Sequence, residues 1–73
     1  MTQDDSALRK HSVLIAGHAT SISIENIFWR ELTRIAEARG VSLNTLIAEI
    51  DATRSGNLSS AIRVFIVQTI NNN

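Results

Sequence analysis

From Thr20 to Glu25 the chain reads TSISIE, with polar and apolar side chains alternating at period two. That is the pattern of a half-buried strand. Residues 11–16, HSVLIA, are also β-prone, and Gly17-His18 separates the two stretches. Glycine at the first central position of a two-residue loop is the type II′ hairpin signal. The spacing therefore predicts a hairpin turning at Gly17-His18, with Ala16 facing Ala19, Ile15 facing Thr20, Leu14 facing Ser21 and Val13 facing Ile22. One face then gathers Val13, Ile15, Ile22 and Ile24. The other shows Ser12, Leu14, Ser21 and Ser23. An extended arm over 11–16 is the alternative.

The period then changes. Phe28, Leu32, Ile35 and Ala36 fall at i, i+4, i+7 and i+8, which predicts an amphipathic helix over 25–39. Trp29 widens its apolar stripe, and Arg30 and Arg34 sit one turn apart on a more polar side. Gly40 is placed to end the helix in a left-handed conformation. Ser42 suits the N-cap of a second helix over 43–53, with Val41 and Leu46 spaced as a hydrophobic staple. Leu43, Leu46, Ile47 and Ile50 form its stripe, and Arg54-Ser55-Gly56-Asn57 breaks it. A third helix is expected over 58–70. Its apolar residues, including Leu58, Ala61, Ile62, Val64, Phe65, Ile66, Val67 and Ile70, cover more than one face. Such a helix needs burial on a second side, which a second subunit would provide.

Residues 1–10 read as a flexible polar arm, 11–70 as one domain, and 71–73 as a frayed tail. At 73 residues a lone core is marginal without a staple. The chain has no cysteine, so disulfides and thiolate metal sites are excluded. His11 and His18 lie near opposite ends of a strand, too far apart to share an ion, and no metal or cofactor is expected. Self-association is the remaining staple, and a 44% hydrophobic composition can supply it. No apolar run approaches the ~20 residues of a membrane span. The acidic, polar start MTQDDS is unlike a secretory signal, so a cytoplasmic location is expected.

The chain is neutral overall, but residues 9–45 carry a positive surplus, with Arg9, Lys10, Arg30, Arg34 and Arg39 set against Glu25, Glu31 and Glu37. This weakly favours an anionic partner. Catalysis finds no support. Ser59 and Ser60 lack a histidine and an acid at motif spacing. Glu49 and Asp51, two apart, diverge on a helix. There is no phosphate-binding glycine loop.

The order is thus ribbon, helix, Gly-x-Ser, helix. The pattern Ile22-x-Ile24, then Leu32-x-x-Ile35-Ala36-x-x-x-Gly40-x-Ser42-x-x-x-Leu46-Ile47, resembles the ribbon-helix-helix family of DNA-binding proteins, the Arc and MetJ type. The longer string GHATSISIENIFWRELTRIAEARGVSLNTLIAEIDATRSGNLSSAIRVF is similar to a bacterial subgroup in which a C-terminal helix joins the domain. The resemblance implies a mostly α fold with a short N-terminal β-ribbon, built as an intertwined homodimer. Ile22, Ile24, Phe28, Trp29, Leu32, Ile35, Leu46, Ile47 and Ile50 would form the dimer core. It implies that two copies pair their strands and lay the ribbon in the DNA major groove. Ala19, Ser21 and Ser23 would then meet base edges, and Ser42, Leu43 and Asn44 would hold a phosphate at the second helix's start. Arg9 and Lys10 are further phosphate candidates. Such ribbons often present Arg, Lys, Asn or Gln outward, whereas this one presents Ser, Ser and Ala. Two functions follow: a dimeric transcriptional regulator on double-stranded DNA, or an antitoxin-like or adaptor module that binds a protein through 58–70.

Overall fold

The computed structural model describes residues 4–72, so residues 1–3 of the expected arm and residue 73 of the expected tail lie outside it. The elements run β1 (Leu8–Ile15), β2 (His18–Glu25), α1 (Asn26–Arg39), α2 (Leu43–Thr53) and α3 (Leu58–Asn71). β1 and β2 form one antiparallel hairpin, and the three helices cover one of its faces.

The hairpin forms, but one step away from the expected register. Its loop is Ala16-Gly17, not Gly17-His18, and the pairs run from Ile15 opposite His18 to Leu8 opposite Glu25. Both loop residues have positive φ, +52° at Ala16 and +81° at Gly17. Two consecutive positive values are the mark of a type I′ turn, whose twist matches that of the flanking strands. The expected and observed registers differ by two residues in pairing, so each side chain keeps its face. Burial therefore cannot choose between them, and the turn does. Val13, Ile22 and Ile24 face the helices and are buried, while Ile15 packs at the margin.

Residues 8–10, expected in the arm, belong to β1. Asp4–Ala7 also packs down. The Asn26 side chain donates to the Asp4 carbonyl at 2.8 Å, and the N–H groups of Asn26 and Ile27 donate to the carbonyls of Ala7 and Asp5. These bonds satisfy donors that open every helix N-terminus, here in place of a side-chain cap. Asn26 is the one polar residue among the buried set of described residues.

The helix boundaries follow their local chemistry. Gly40, at φ +71°, donates back to α1, and Val41 N–H reaches the Ala36 carbonyl, as a left-handed C-terminal turn requires. Ser42 Oγ accepts from the Thr45 N–H at 3.0 Å, the expected N-cap. Asn57 caps α3 in the same way through Ser60.

The core comprises Val13, Ile22, Ile24, Leu32, Ile35, Ala36, Leu46, Ile47, Ile50, Ile62 and Ile66. The residues expected in a dimer core thus form the core of the single chain, with Phe28 and Trp29 half-buried at its edge. Each fully buried aliphatic side chain contributes about 1.5–3 kcal/mol. α3 supplies Ile62 and Ile66 from one face. Val64 and Val67, turned away from that face, are 53% and 48% exposed, and Ile70, one turn beyond Ile66 near the helix end, is 45% exposed.

Candidate nucleic-acid interface

The hairpin face turned away from the helices carries four cross-strand pairs: Leu8 with Glu25 at the base, then Lys10 with Ser23, Ser12 with Ser21, and Leu14 with Ala19. All are exposed except Glu25, which is half-buried. The pleat explains why, since residues opposite Val13, Ile22 and Ile24 in parity must point to water. Ala19, Ser21 and Ser23 therefore stand in a row on β2, and β1 adds a second row beside them. The alternation already puts Ser12 and Leu14 of that second row outward; Lys10, expected in the arm, joins it because β1 begins at Leu8.

Arg9 and Lys10 do not act as a unit. Lys10 points outward next to Ser23. Arg9 pairs with Ile24 on the helix-facing side, although it remains exposed. Four of the seven cations are held in ion pairs within the chain: Arg30 with Asp5, Arg34 with Glu31, Arg54 with Asp51, and Arg63 with Glu25. Arg39 lies over the Phe65 ring at 5.1 Å. Among the described residues, Arg9 and Lys10 have no carboxylate partner, and both sit on the hairpin. Arg30 and Arg34 are thus engaged locally, Arg30 through the Asp4–Ala7 turn and Arg34 through Glu31 one turn away.

The acid at the base of the ribbon is neutralised. Glu25 accepts from Arg63 Nε at 2.8 Å and from Nη2 at 3.2 Å. The hydrogen bond from Arg63, then the bond from its own backbone N–H, holds its carboxyl below the usual carboxylate range. The pairing sets a positive charge against the one carboxylate of the hairpin.

At the start of α2, Ser42 Oγ takes the Thr45 N–H, and the Ser42 carbonyl takes the Leu46 N–H at 3.0 Å. The N–H groups of Leu43 and Asn44 precede that first intrahelical bond and point out along the axis. Asn44 Oδ1 approaches the Leu14 N–H at 3.4 Å, which puts this helix start against the outer edge of β1. Ser42, Leu43 and Asn44 are thus brought beside the hairpin.

Two further residues, weighed above only for catalysis and metal binding, make contacts at the hairpin. Ser59, at the start of α3, donates to the Ser23 carbonyl at 2.9 Å and so touches the outer edge of β2. His11 stacks on Trp29 beneath the ribbon. No local pattern signals the first contact. Parity hints at the second, because His11 shares the face of Val13. Among the described residues no group of three or more His, Asp or Glu converges to hold a metal, and no helix is long and apolar enough to cross a membrane. A surface recess of about 380 Å³ between α2 and α3 is lined by residues such as Ile50, Arg54, Asn57, Val64 and Phe65 and gathers no catalytic pair.

Comparison with known proteins agrees with this architecture. The model of the ribbon-helix-helix domain family matches residues 8–70, and the chain belongs to that family. The fold is similar to that of a solved structure, an uncharacterized protein from Bordetella pertussis Tohama I, with a TM-score of 0.78 at 25% sequence identity. The match covers 94% of this chain and 60% of that one, so this chain spans about three fifths of that protein's length. No curated protein matches the sequence.

Proposed function

We propose that this protein is a dimeric DNA-binding transcriptional regulator whose β2 strands pair across a dyad and enter the major groove. Ribbon-helix-helix domains are typically regulators or antitoxins that bind DNA. The observation that carries the reading is the solvent face of the hairpin. It bears hydroxyls, Lys10 and two exposed leucines, Leu8 and Leu14, is free of unpaired acid, and has the open N–H groups of α2 on its flank.

The backbone supports the pairing. In a two-residue hairpin the residues of one parity bond across the loop, and those of the other parity point outward. The Leu14 N–H and the Ser23 carbonyl both leave the hairpin, to Asn44 and Ser59. Ala19 and Ser21 share Ser23's parity, so their N–H and C=O groups line the outer edge of β2. An unpaired edge of this kind is a template for another strand. Ser21 and Ser23 then read bases weakly, since a hydroxyl bonds to several base edges, and Lys10 and the α2 start hold phosphates.

The test is duplex binding by the full chain across salt concentrations, with fragments selected from a genomic pool. A regulator shows selected sequences and an affinity that falls steeply with salt. Flat or absent binding excludes it. The second reading, a protein-binding module, is favoured by the exposed stripe of Val64, Val67 and Ile70. In that case the full chain retains a partner protein that a Val64→Glu, Val67→Glu variant releases.

A further inference from the structure

We infer that β1 is a sequence-blind phosphate strand, in which Ser12 joins Lys10 in contacting the sugar–phosphate walls of the groove while base reading stays on β2. The inference rests on the DNA-binding reading above and assigns Ser12 a role that reading does not give it. It starts from which edges are open. The outer edge of β1 lies against the first turn of α2 through Leu14 and Asn44. The outer edge of β2 is engaged at the Ser23 carbonyl alone, by Ser59, among the described residues. Each outer edge thus carries one bond to a helix; on the DNA-binding reading the twin strand adds to β2, and the sheet order across the dyad is β1-β2-β2-β1.

Width then divides the labour. Neighbouring strands lie about 4.8 Å apart, so the two outer strands of such a sheet are about 14 Å apart. The major groove is about 12 Å wide. The central β2 pair fits between the walls, whereas each β1 sits about 7 Å from the dyad, just past the half-width, above the phosphates. A sheet this wide cannot lower all four rows of side chains onto base edges.

The outward chemistry of β1 suits that position. Lys10 supplies a cation with no carboxylate partner among the described residues, and Ser12 supplies a hydroxyl donor. Leu8 and Leu14, which flank them on that face, have no polar side-chain atom and add none. Lys10 is level with Ser23 and Ser12 with Ser21, so each wall contact stands beside one base reader. Beyond β1 come the free N–H groups of Leu43 and Asn44. From dyad to margin the order is base readers, side-chain phosphate contacts, then backbone phosphate contacts.

The experiment uses the full chain and a duplex selected from the genomic pool, with a scrambled duplex as control. Ser12→Ala is expected to weaken binding to both duplexes by the same factor, about tenfold for two lost hydrogen bonds per dimer. Lys10→Gln is expected to reduce the salt slope by about two, one phosphate per copy. Both residues are exposed, and an unchanged circular dichroism melt confirms that the fold is intact. A neutral methylphosphonate at the groove-border phosphate is expected to remove the Ser12→Ala effect while leaving that of Ser21→Ala. If Ser12→Ala instead alters preference at a base position, β1 reaches the groove floor and the inference is overturned. An unchanged affinity places β1 clear of DNA and overturns it equally. Absence of duplex binding by the unmodified chain is a different result: it removes the DNA reading itself, and this inference with it.

Discussion

His11 lies flat on Trp29, with ring centroids 3.7 Å apart and planes within 6° of parallel. The imidazole is sandwiched between the ribbon and α1, and its Nε2 is buried without a hydrogen-bond partner among the described residues. Burial first, and then the charge of Arg9, lowers its pKa from 6.5. The neutral ring is therefore the form the fold prefers. The unfolded chain binds the proton more readily, so His11 costs nothing above about pH 6.5. Stability falls as pH drops below that value and levels off beneath the folded pKa. His11→Phe keeps a stacked ring and removes the proton site. It is expected to flatten the melting profile between about pH 7 and 5 relative to the parent chain. Fluorescence of Trp29, the single tryptophan, tracks the same titration and should lose it in the variant.

Ala16 occupies a left-handed conformation that suits glycine or asparagine better. Ala16→Asn converts the loop to Asn-Gly, the preferred type I′ pair. A gain of about 1 kcal/mol is expected, which raises Tm by roughly 4–8 °C in a chain of this size. Thermal denaturation followed by far-ultraviolet circular dichroism measures it, and a lowered Tm would contradict the turn assignment.

Asn26 ties the Asp4–Ala7 turn to α1. Asn26→Ala is expected to cost about 1–2 kcal/mol, because it strips a bond from a buried site. The loss should be uneven. Hydrogen exchange at the Ile27 amide, which donates to Asp5, should accelerate well before that of the core amide of Ile47.

Arg63 screens Glu25 at the base of the ribbon. On the DNA-binding reading, Arg63→Gln exposes that carboxylate to phosphates and weakens duplex affinity several-fold, most strongly at low salt. The double variant Arg63→Gln, Glu25→Gln should recover the loss. Recovery distinguishes repulsion from a damaged fold, which the second change would not repair.

Much of this fold is legible in the sequence because its signals are local. Gly40 and Ser42 mark one helix's end and the next one's start through short-range bonds, and both occur as the pattern predicts. The apolar stripes of α1 and α2 likewise name the core. What the pattern misses is non-local or degenerate. Ser59 reaching Ser23, 36 residues away, follows from how α3 docks and leaves no trace in either segment. The burial of Asn26 follows from the Asp4–Ala7 turn, a segment that composition alone reads as a free arm. As for the interface, the hydroxyl face with Ser12, Ser21 and Ser23 is legible from the alternation, but Lys10 joins it only because β1 extends back to Leu8, into a segment that reads as an arm.

The interior of this protein is blind to a slip of the hairpin by one rung, because Val13, Ile22 and Ile24 stay inside either way. The outside is not. In the slipped alignment Lys10 would stand beside Glu25, the carboxylate that Arg63 engages, rather than beside Ser23, and the two cations would share one acid. Two residues at the tip, Ala16 and Gly17, thus govern a distant surface that they never touch. Sequence drift at that tip would retune or silence the molecule while its hydrophobic centre carried no record of the change.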